Sequence, residues 1–285
     1  MLPAFVVGLR EGLEAALIVG IVAVFLRKNG NSAAIRWVLA GVSIAVVVCL
    51  GFGIALRQLE RNLPIRQQEG LETIVALVAV AFVTYMVVWM RKNGRNLSAS
   101  IEAETGAALA AGSVSALVTM AFLAVFREGF ETSVFLVAVF QDSADPQATG
   151  IGAVLGIGTA ILAGFAIYRG GIEINLARFF RVTGVVLVLV AAGLVASAAH
   201  TAHAAGWVHI GQSQALDLEW LVRPGSVVSA LFTGVLGIQP RPTVAETLGW
   251  TLYAAPTLVY LLWPCKSHMG AISRRPAAGH APPSN

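Results

Sequence analysis

Charged residues are scarce in this chain. Only 12% of its 285 residues are Asp, Glu, Lys or Arg, against about 25% in soluble domains. Hydrophobic residues make up 57%, and the mean hydropathy is +0.77. Apolar runs of about 20 residues, the length that a transmembrane helix requires, recur along the chain. The composition therefore excludes a soluble enzyme, a disulfide-built secreted domain and a disordered chain, and it indicates a polytopic membrane protein.

Several other features are missing. The two cysteines, Cys49 and Cys265, are expected to be unpaired thiols rather than a disulfide or a soft-metal site. The sequence has no G-x-x-x-x-G-K-[ST] loop for a nucleotide, and it has neither H-E-x-x-H nor G-x-S-x-G. These absences argue against an intramembrane hydrolase. The first apolar run lacks a basic leading segment, so we expect it to be retained rather than cleaved as a signal peptide.

Seven apolar runs predict an all-α membrane protein with seven transmembrane helices. The fourth run has 34 residues, so we expect it to begin with an interfacial piece or to be strongly tilted. A shorter run over 227–238 is expected to be a re-entrant or interfacial helix. The predicted spans are roughly Leu2–Leu26, Ile35–Leu56, Glu69–Met90, Ala107–Phe140, Ile151–Tyr168, Leu176–His200 and Thr243–Trp263.

Basic residues in the predicted loops give the orientation. Twelve of them fall on one side and five on the other, and the richer side is expected to be cytoplasmic. We therefore predict a protein of the cytoplasmic membrane with its N-terminus outside and its C-terminus inside. The twelve are Arg27, Lys28, Arg36, Arg91, Lys92, Arg95, Arg169, Arg178, Arg181, Lys266, Arg274 and Arg275.

A five-residue motif, R-E-G-[LF]-E, occurs at 10–14 and again at 127–131. Three predicted spans separate the copies, so their helices run antiparallel, as in transporters built from inverted repeats. We predict a single membrane domain over 1–265, with repeat halves at about 1–95 and 107–205. An extra helix at about 243–263 and a disordered cytoplasmic tail over 266–285 complete it.

The motif spacing places two carboxylates on one helix face, because residues three and four apart are neighbours. Glu11 and Glu14 form one such pair, and Glu128 and Glu131 form the other. Each motif arginine precedes a glutamate by four residues and can therefore form an ion pair with it. The two arginines, which we assign to charge balance, are Arg10 and Arg127.

Four glutamates and two arginines leave a formal charge of −2, which a multivalent cation would neutralise. Buried ion pairs that only lock the helices would explain each Arg–Glu pair but not the excess carboxylates. Carboxylate oxygens favour Mg²⁺, Ca²⁺, Mn²⁺ and iron over Cu(I). The residues alone therefore predict a site for a hard or borderline cation and do not select one metal.

The paired motifs resemble those of the oxidase-dependent iron transporter family, which includes fungal high-affinity iron permeases and bacterial Efe-system iron permeases. The resemblance extends from about Leu2 to Trp263, with Phe130 where the family usually has leucine. It implies a seven-span permease that imports iron as its substrate, without a fixed cofactor, and uses the motif glutamates as ligands. Other matching stretches are Glu69–Glu72, Tyr85–Lys92, Gly170–Ile172, Asn175–Leu176 and Phe179–Phe180.

Two further groups are candidate ligands on the outer side. Glu69 and Glu72 lie either at a helix N-terminus, where its dipole stabilises them, or in a vestibule that collects cations. His200 and His203 lie one turn apart, with His209 in the following loop, and imidazole is a good ligand for iron. The role of these histidines stays open at this point.

We therefore predict an iron permease whose path leads from Glu69 and Glu72 to the four motif glutamates. The resemblance also implies an extracytoplasmic partner that oxidises or delivers iron, and no nucleic acid is expected to bind. Two alternatives remain: a permease for another divalent metal, such as lead, zinc or manganese, and a membrane metal sensor or structural subunit. The residues do not distinguish Fe²⁺ from Fe³⁺.

Overall fold

A computed structural model describes residues 1–28, 30, 33–93, 114–143, 145–169, 176–209, 211–217, 233 and 236–263. These ranges contain seven α-helices, with an antiparallel bridge between Gln214 and Thr243 before the last one. The predicted all-helical class is confirmed for this part of the chain. In chain order the helices are α1 (Leu2–Lys28), α2 (Ala34–Arg61), α3 (Ile65–Asn93), α4 (Val114–Gln141), α5 (Pro146–Tyr168), α6 (Leu176–Ala204) and α7 (Val244–Leu262).

Four of these helices, α2, α3, α5 and α6, are long and apolar enough to cross a membrane. Helices α1 and α4 are 27 and 28 residues long, but each carries a complete R-E-G-[LF]-E motif near its middle. Helix α7 is shorter, at 19 residues, and contains Glu246 and Pro256. The chain is thus a multi-pass membrane protein, and a count of seven spans stays a prediction.

The structure corrects two of the predicted boundaries. Helix α4 has 28 residues rather than 34, so the helix itself needs neither the expected interfacial start nor a strong tilt. Helix α3 begins at Ile65, four residues before the predicted start of its span. The residues at 107–113, most of 227–238, Cys265 and the predicted tail over 266–285 lie outside the described ranges.

The helices pack in a pattern that stays the same when the two predicted halves are exchanged. Helix α1 packs on α5 and α2 packs on α4, while α3 packs on α6 and α1 on α4. The smaller contacts follow the same rule, because α3 meets α4 and α1 meets α6. Helix α7 packs mainly on α6. The two motif helices, α1 and α4, therefore adjoin each other inside the bundle.

Lipid-facing and core-facing surfaces are well separated. Large aliphatic side chains of α2 and α5 are exposed, including Val47, Leu50 and Leu162, as expected for helices that face hydrocarbon. The principal core joins α3, α4 and α6 through residues such as Val83 and Leu187. The motif helices are thus covered by neighbours on several sides, and the site is held in the protein interior.

A stripe of small residues on α5 receives α1 at close range. A Cβ atom on Gly156 would lie against the carbonyl oxygen of Phe5 and 2.9 Å from the backbone nitrogen of Leu9. The other members of the stripe meet α1 in the same way, so the predicted packing role is confirmed. They are Gly152, Ala160 and Gly164.

This contact predicts a stability difference between two neighbouring glycines. The substitution Gly156→Ala is expected to lower the free energy of unfolding by about 1–3 kcal/mol, because it overpacks the α1–α5 contact. Gly158→Ala is the matched control, since no atom lies within 4 Å of its added Cβ. Thermal unfolding of the detergent-solubilised protein, followed by tryptophan fluorescence, measures both. Equal midpoints for the two variants would contradict this account of the contact.

Candidate cation site between the motif helices

The motif charges lie in the interior of the bundle. Arg10 is 1% exposed and Glu11 is fully buried, while Glu14, Glu128 and Glu131 are 6–8% exposed. A charged side chain at the membrane centre costs about 2.5–3.5 kcal/mol on the insertion scale. The helices bury these groups because their own apolar residues pack around them, so each charge requires a partner close by.

Three of the four motif carboxylates come together. Glu11 on α1 and Glu128 and Glu131 on α4 each offer an oxygen, and these oxygens lie within 4.8 Å of one another. Like charges at this separation repel strongly in a medium of low dielectric constant. Such a cluster is stable when it shares protons or binds a cation, and the three oxygens can serve as ligands to one metal ion.

The other motif contacts are ion pairs within each helix, as the spacing predicts. Arg10 Nε lies 3.4 Å from Glu14 Oε1, and Arg127 Nε lies 3.2 Å from Glu131 Oε1. Glu14 is outside the three-carboxylate group and contacts its own arginine. The motif therefore separates its glutamates into arginine-paired groups, Glu14 and Glu131, and groups that are free to bind a ligand.

The two arginines differ in their surroundings. Arg10 donates through Nη2 to the sulfur of Met90 at 2.8 Å, and no protein atom accepts from its Nε and Nη1. The side chain of Arg127 is 46% exposed, and its guanidinium lies 5.7 Å from the centre of the Trp89 ring. The site is thus sealed around Arg10 and open beside Arg127, an asymmetry that the two similar motifs do not predict.

Several carboxylate oxygens have no hydrogen-bond donor among the described residues. Both oxygens of Glu11 are in this group, as are one oxygen each of Glu14, Glu128 and Glu131. A buried carboxylate without a donor is strongly unfavourable. Their lone pairs are therefore available to a cation between α1 and α4.

The motif glycines allow the flanking helices to approach. A Cβ atom on Gly12 would lie 2.8 Å from Ala160 on α5, and one on Gly129 would lie 2.9 Å from Cys49 on α2. The close contacts thus join α1 to α5 and α4 to α2, which are the pairs that exchange with one another. Cys49 is a buried free thiol, as predicted.

Glu69 and Glu72 lie elsewhere on α3, one turn apart and partly buried. Because α3 begins at Ile65, they fall in its second and third turns. The helix dipole acts within the first turn, so the dipole interpretation of these glutamates is wrong. Between them, Gly70 packs against the indole of Trp207, 2.8 Å from where its Cβ would stand. Glu72 accepts a hydrogen bond from Gln68 at 3.3 Å.

The predicted outer histidines make contacts of their own. His200 Nδ1 lies 3.0 Å from Glu246 Oε1, and His203 Nδ1 lies 2.8 Å from the carbonyl oxygen of Val208. Neither belongs to the motif carboxylate group. The sequence analysis missed Glu246, which is 4% exposed and forms a capping box with Thr243 at the start of α7. The T-x-x-E spacing ahead of an apolar run was the available signal.

An acidic group also follows the end of α4. The protein around Asp142 desolvates its carboxyl group and raises the pKa of Asp142 to about 6, against a lowering effect of a hydrogen bond with Ser197. Its negative charge is therefore partly lost in mildly acidic medium. Asp145, nearby, accepts from the backbone of Gln147 and Ala148 at 3.0 Å as the N-cap of α5, so its role is structural.

Long apolar helices around a buried carboxylate cluster define a multi-pass membrane protein with a candidate cation site. Residues 1–272 match the iron permease FTR1 family, and no solved structure matches the chain. The chain belongs to this family, which confirms the predicted resemblance and assigns it to the iron permeases.

Relatives with the same printed name, ferrous iron permease EfeU, cover nearly the whole chain. The one from Escherichia coli O6:K15:H31 (strain 536 / UPEC) is 40% identical over 96% of this chain and 99% of its own length. The one from Shigella sonnei (strain Ss046) is 41% identical over 97% of this chain and all of its own length. The one from Yersinia pestis is 40% identical over 95% of this chain and 96% of its own length.

The difference between the two arginines predicts unequal effects on stability. Arg10→Ala leaves Glu14 as an uncompensated buried charge, so we expect a loss of about 3–5 kcal/mol in unfolding free energy. Arg127→Ala is the matched change at a half-exposed arginine, and about 0–1 kcal/mol is expected. The double variant Arg10→Met with Glu14→Gln should recover most of the loss. Thermal midpoints in detergent test this, and equal losses for the two alanine variants would contradict it.

Proposed function

We propose that this chain imports iron in the ferrous form across the cytoplasmic membrane, through a site formed by the two R-E-G-[LF]-E motifs. The observation that carries the proposal is the meeting of Glu11, Glu128 and Glu131 between α1 and α4. The name of the relatives, ferrous iron permease, supports the oxidation state. Family membership supports iron rather than another divalent metal as the cargo.

The charges of the site suit a divalent ion. Arg10 is paired with Glu14 and Arg127 with Glu131, which leaves Glu11 and Glu128 without an arginine of their own. Two unpaired carboxylates balance the +2 charge of Fe²⁺, and Glu131 adds a third oxygen ligand. The arginines limit repulsion among the glutamates, so the site stays assembled when the ion leaves.

An inverted repeat is the architecture that we propose for this site. The helix pairs α1–α5 and α4–α2 exchange when the halves are exchanged, and α1–α4 and α3–α6 map onto themselves. With seven spans, the N-terminus lies outside and the C-terminus lies in the cytoplasm. Movement of one half against the other then exposes the site to each side in turn, because both halves contribute carboxylates to it.

The membrane potential is a sufficient driving force. A doubly charged ion moving inward gains about 4.6 kcal/mol per 100 mV, which is twice the gain of a single charge. Glu69 and Glu72 on α3 collect the ion on the outer side, and an extracytoplasmic partner that oxidises or delivers iron supplies it. The chain acts as a transporter and catalyses no covalent step.

Removal of one ligand charge tests the site. Glu11→Gln, Glu128→Gln and Glu131→Gln are each expected to reduce uptake of radioactive Fe²⁺ to background, because an amide oxygen carries no charge for the ion. The measurement uses cells without other iron importers and compares equal amounts of membrane protein. Glu60→Gln is the matched control, since Glu60 ends α2 beside Gln141, 3.1 Å away and ten residues beyond Glu131 on α4.

Wild-type uptake in all three variants would reject the ligand assignment. Competition with unlabelled metals decides the cargo in the same cells. Excess Fe²⁺ should suppress the signal at lower concentration than excess Mn²⁺ or Zn²⁺, and the reverse order would favour a permease for another divalent metal.

Orientation is tested separately. Fusion of green fluorescent protein to the C-terminus is expected to give a fluorescent product, and fusion of alkaline phosphatase there an inactive one, because the C-terminus is proposed to be cytoplasmic. Phosphatase fused after Asp145, in the α4–α5 turn, should be active. An active C-terminal phosphatase would contradict the proposed seven spans.

A further inference from the structure

Two histidines near the end of α6 have one ring nitrogen fixed. The Nδ1 of His203 lies 2.8 Å from the carbonyl oxygen of Val208, and a carbonyl oxygen only accepts, so this nitrogen carries the proton. The Nδ1 of His200 lies 3.0 Å from Oε1 of Glu246, whose other oxygen accepts from the backbone nitrogen of Thr243. An ionised Glu246 makes His200 Nδ1 a donor as well.

This arrangement leaves both Nε2 atoms with a lone pair in the neutral ring. Histidines that bind a metal ion commonly donate their other ring N–H to a carboxylate or a backbone carbonyl, which fixes the tautomer and the ring orientation. His200 has the carboxylate form of this contact and His203 the carbonyl form. Being three residues apart, they share one helix face, and the side chain of His200 is 55% exposed.

A third imidazole lies next to them. The ring centre of His209 is 6.3 Å from that of His203. The chain reaches this position because Gly206, at φ +82°, turns it back after α6, with the backbone nitrogen of Trp207 donating to Ala202 at 2.9 Å. Small side-chain rotations suffice for His203 and His209 to ligate one ion.

The histidines and Glu69 and Glu72 border the same contact between α3 and α6. The hydroxyl groups of Thr73 and Thr201 are 2.7 Å apart across this contact, and Trp207 packs on Gly70 between the two glutamates.

We propose that His200, His203 and His209 form a second metal site, one for a first-row divalent cation with a preference for nitrogen ligands. Glu246 on α7 is a positioning residue for it. The buried Glu246 is held by Thr243 in its capping box, so it orients His200 from a fixed point on the neighbouring helix. This site is separate from the motif carboxylates and does not include them.

The site supplies a selectivity that the motif carboxylates lack. Carboxylate oxygens bind Mg²⁺ and Ca²⁺ as well as Fe²⁺, whereas imidazole favours the transition metals. Where the chain imports iron as proposed above, an imidazole site on the path therefore enriches Fe²⁺ over the abundant hard cations before they reach Glu11. The selectivity role rests on that proposed function, and the binding site itself does not.

Cobalt binding tests the site directly. The purified full chain in lipid nanodiscs is titrated with Co²⁺ in excess Mg²⁺, which occupies oxygen sites, and the visible absorption of nitrogen-ligated Co²⁺ is recorded. His203→Gln and His209→Gln are each expected to weaken binding about tenfold or more, and Glu246→Gln about tenfold, since loss of an outer-shell partner costs 10–100-fold. Gln at 246 keeps the capping box. His280→Gln, outside the described residues, is the control.

The result that overturns the site is unchanged Co²⁺ binding in both His203→Gln and His209→Gln. Iron uptake then separates the two proposals. With the site present, His203→Gln should raise the KM for Fe²⁺ in excess Mg²⁺ and leave the maximal rate unchanged. Histidine-dependent Co²⁺ binding in a chain without iron uptake would reject the proposed function and retain the site, and a KM unaffected by either histidine would reject the selectivity role.

Discussion

Burial of charge in an apolar bundle is the constraint on which the other features depend. Six motif charges placed singly in hydrocarbon would cost on the order of 15–20 kcal/mol, more than a typical domain's entire stability of about 5–15 kcal/mol. The chain meets this cost by pairing Glu14 and Glu131 with arginines of their own helices. Glu11 and Glu128 are left over, and their deficit is what a divalent cation supplies. Stability and cation binding are thus set by the same residues.

Close helix approach follows from this constraint. Carboxylates from two helices share one ion only when the backbones are near each other, and Gly12 and Gly129 remove the side chains that would hold α5 and α2 away. The same glycines leave little room for rearrangement inside each packed pair, α1 with α5 and α2 with α4. Relative motion is therefore easier between the pairs than within them. That division places Glu11 and the two glutamates of α4 on different moving parts, which is the condition for alternating access.

Local spacing was sufficient to predict the helices and the ion pairs. The four-residue separation of Arg10 from Glu14 fixes their contact in any helix, and the small residues of α5 fix its close packing. The position of Glu69 was assigned wrongly because polar residues at 65–68 hid the true start of α3. Long-range partners were not predictable. Met90 beside Arg10, Glu246 beside His200 and the exposure of Arg127 depend on which helices adjoin, and spacing within one helix carries no information about that.

Cation selectivity presents a physical problem that the motif site alone does not solve. Oxygen ligands attract Mg²⁺ and Ca²⁺, and burial strengthens that attraction without making it more selective. Discrimination requires a different ligand atom, and among the described residues the imidazoles near the end of α6 provide one beside Glu69 and Glu72. A site exposed to solvent also exchanges ligands readily, so it can hold Fe²⁺ and release it. Selection by nitrogen at the outer side, followed by charge-driven transfer to buried oxygens, thus divides between two sites what a single carboxylate cluster does poorly.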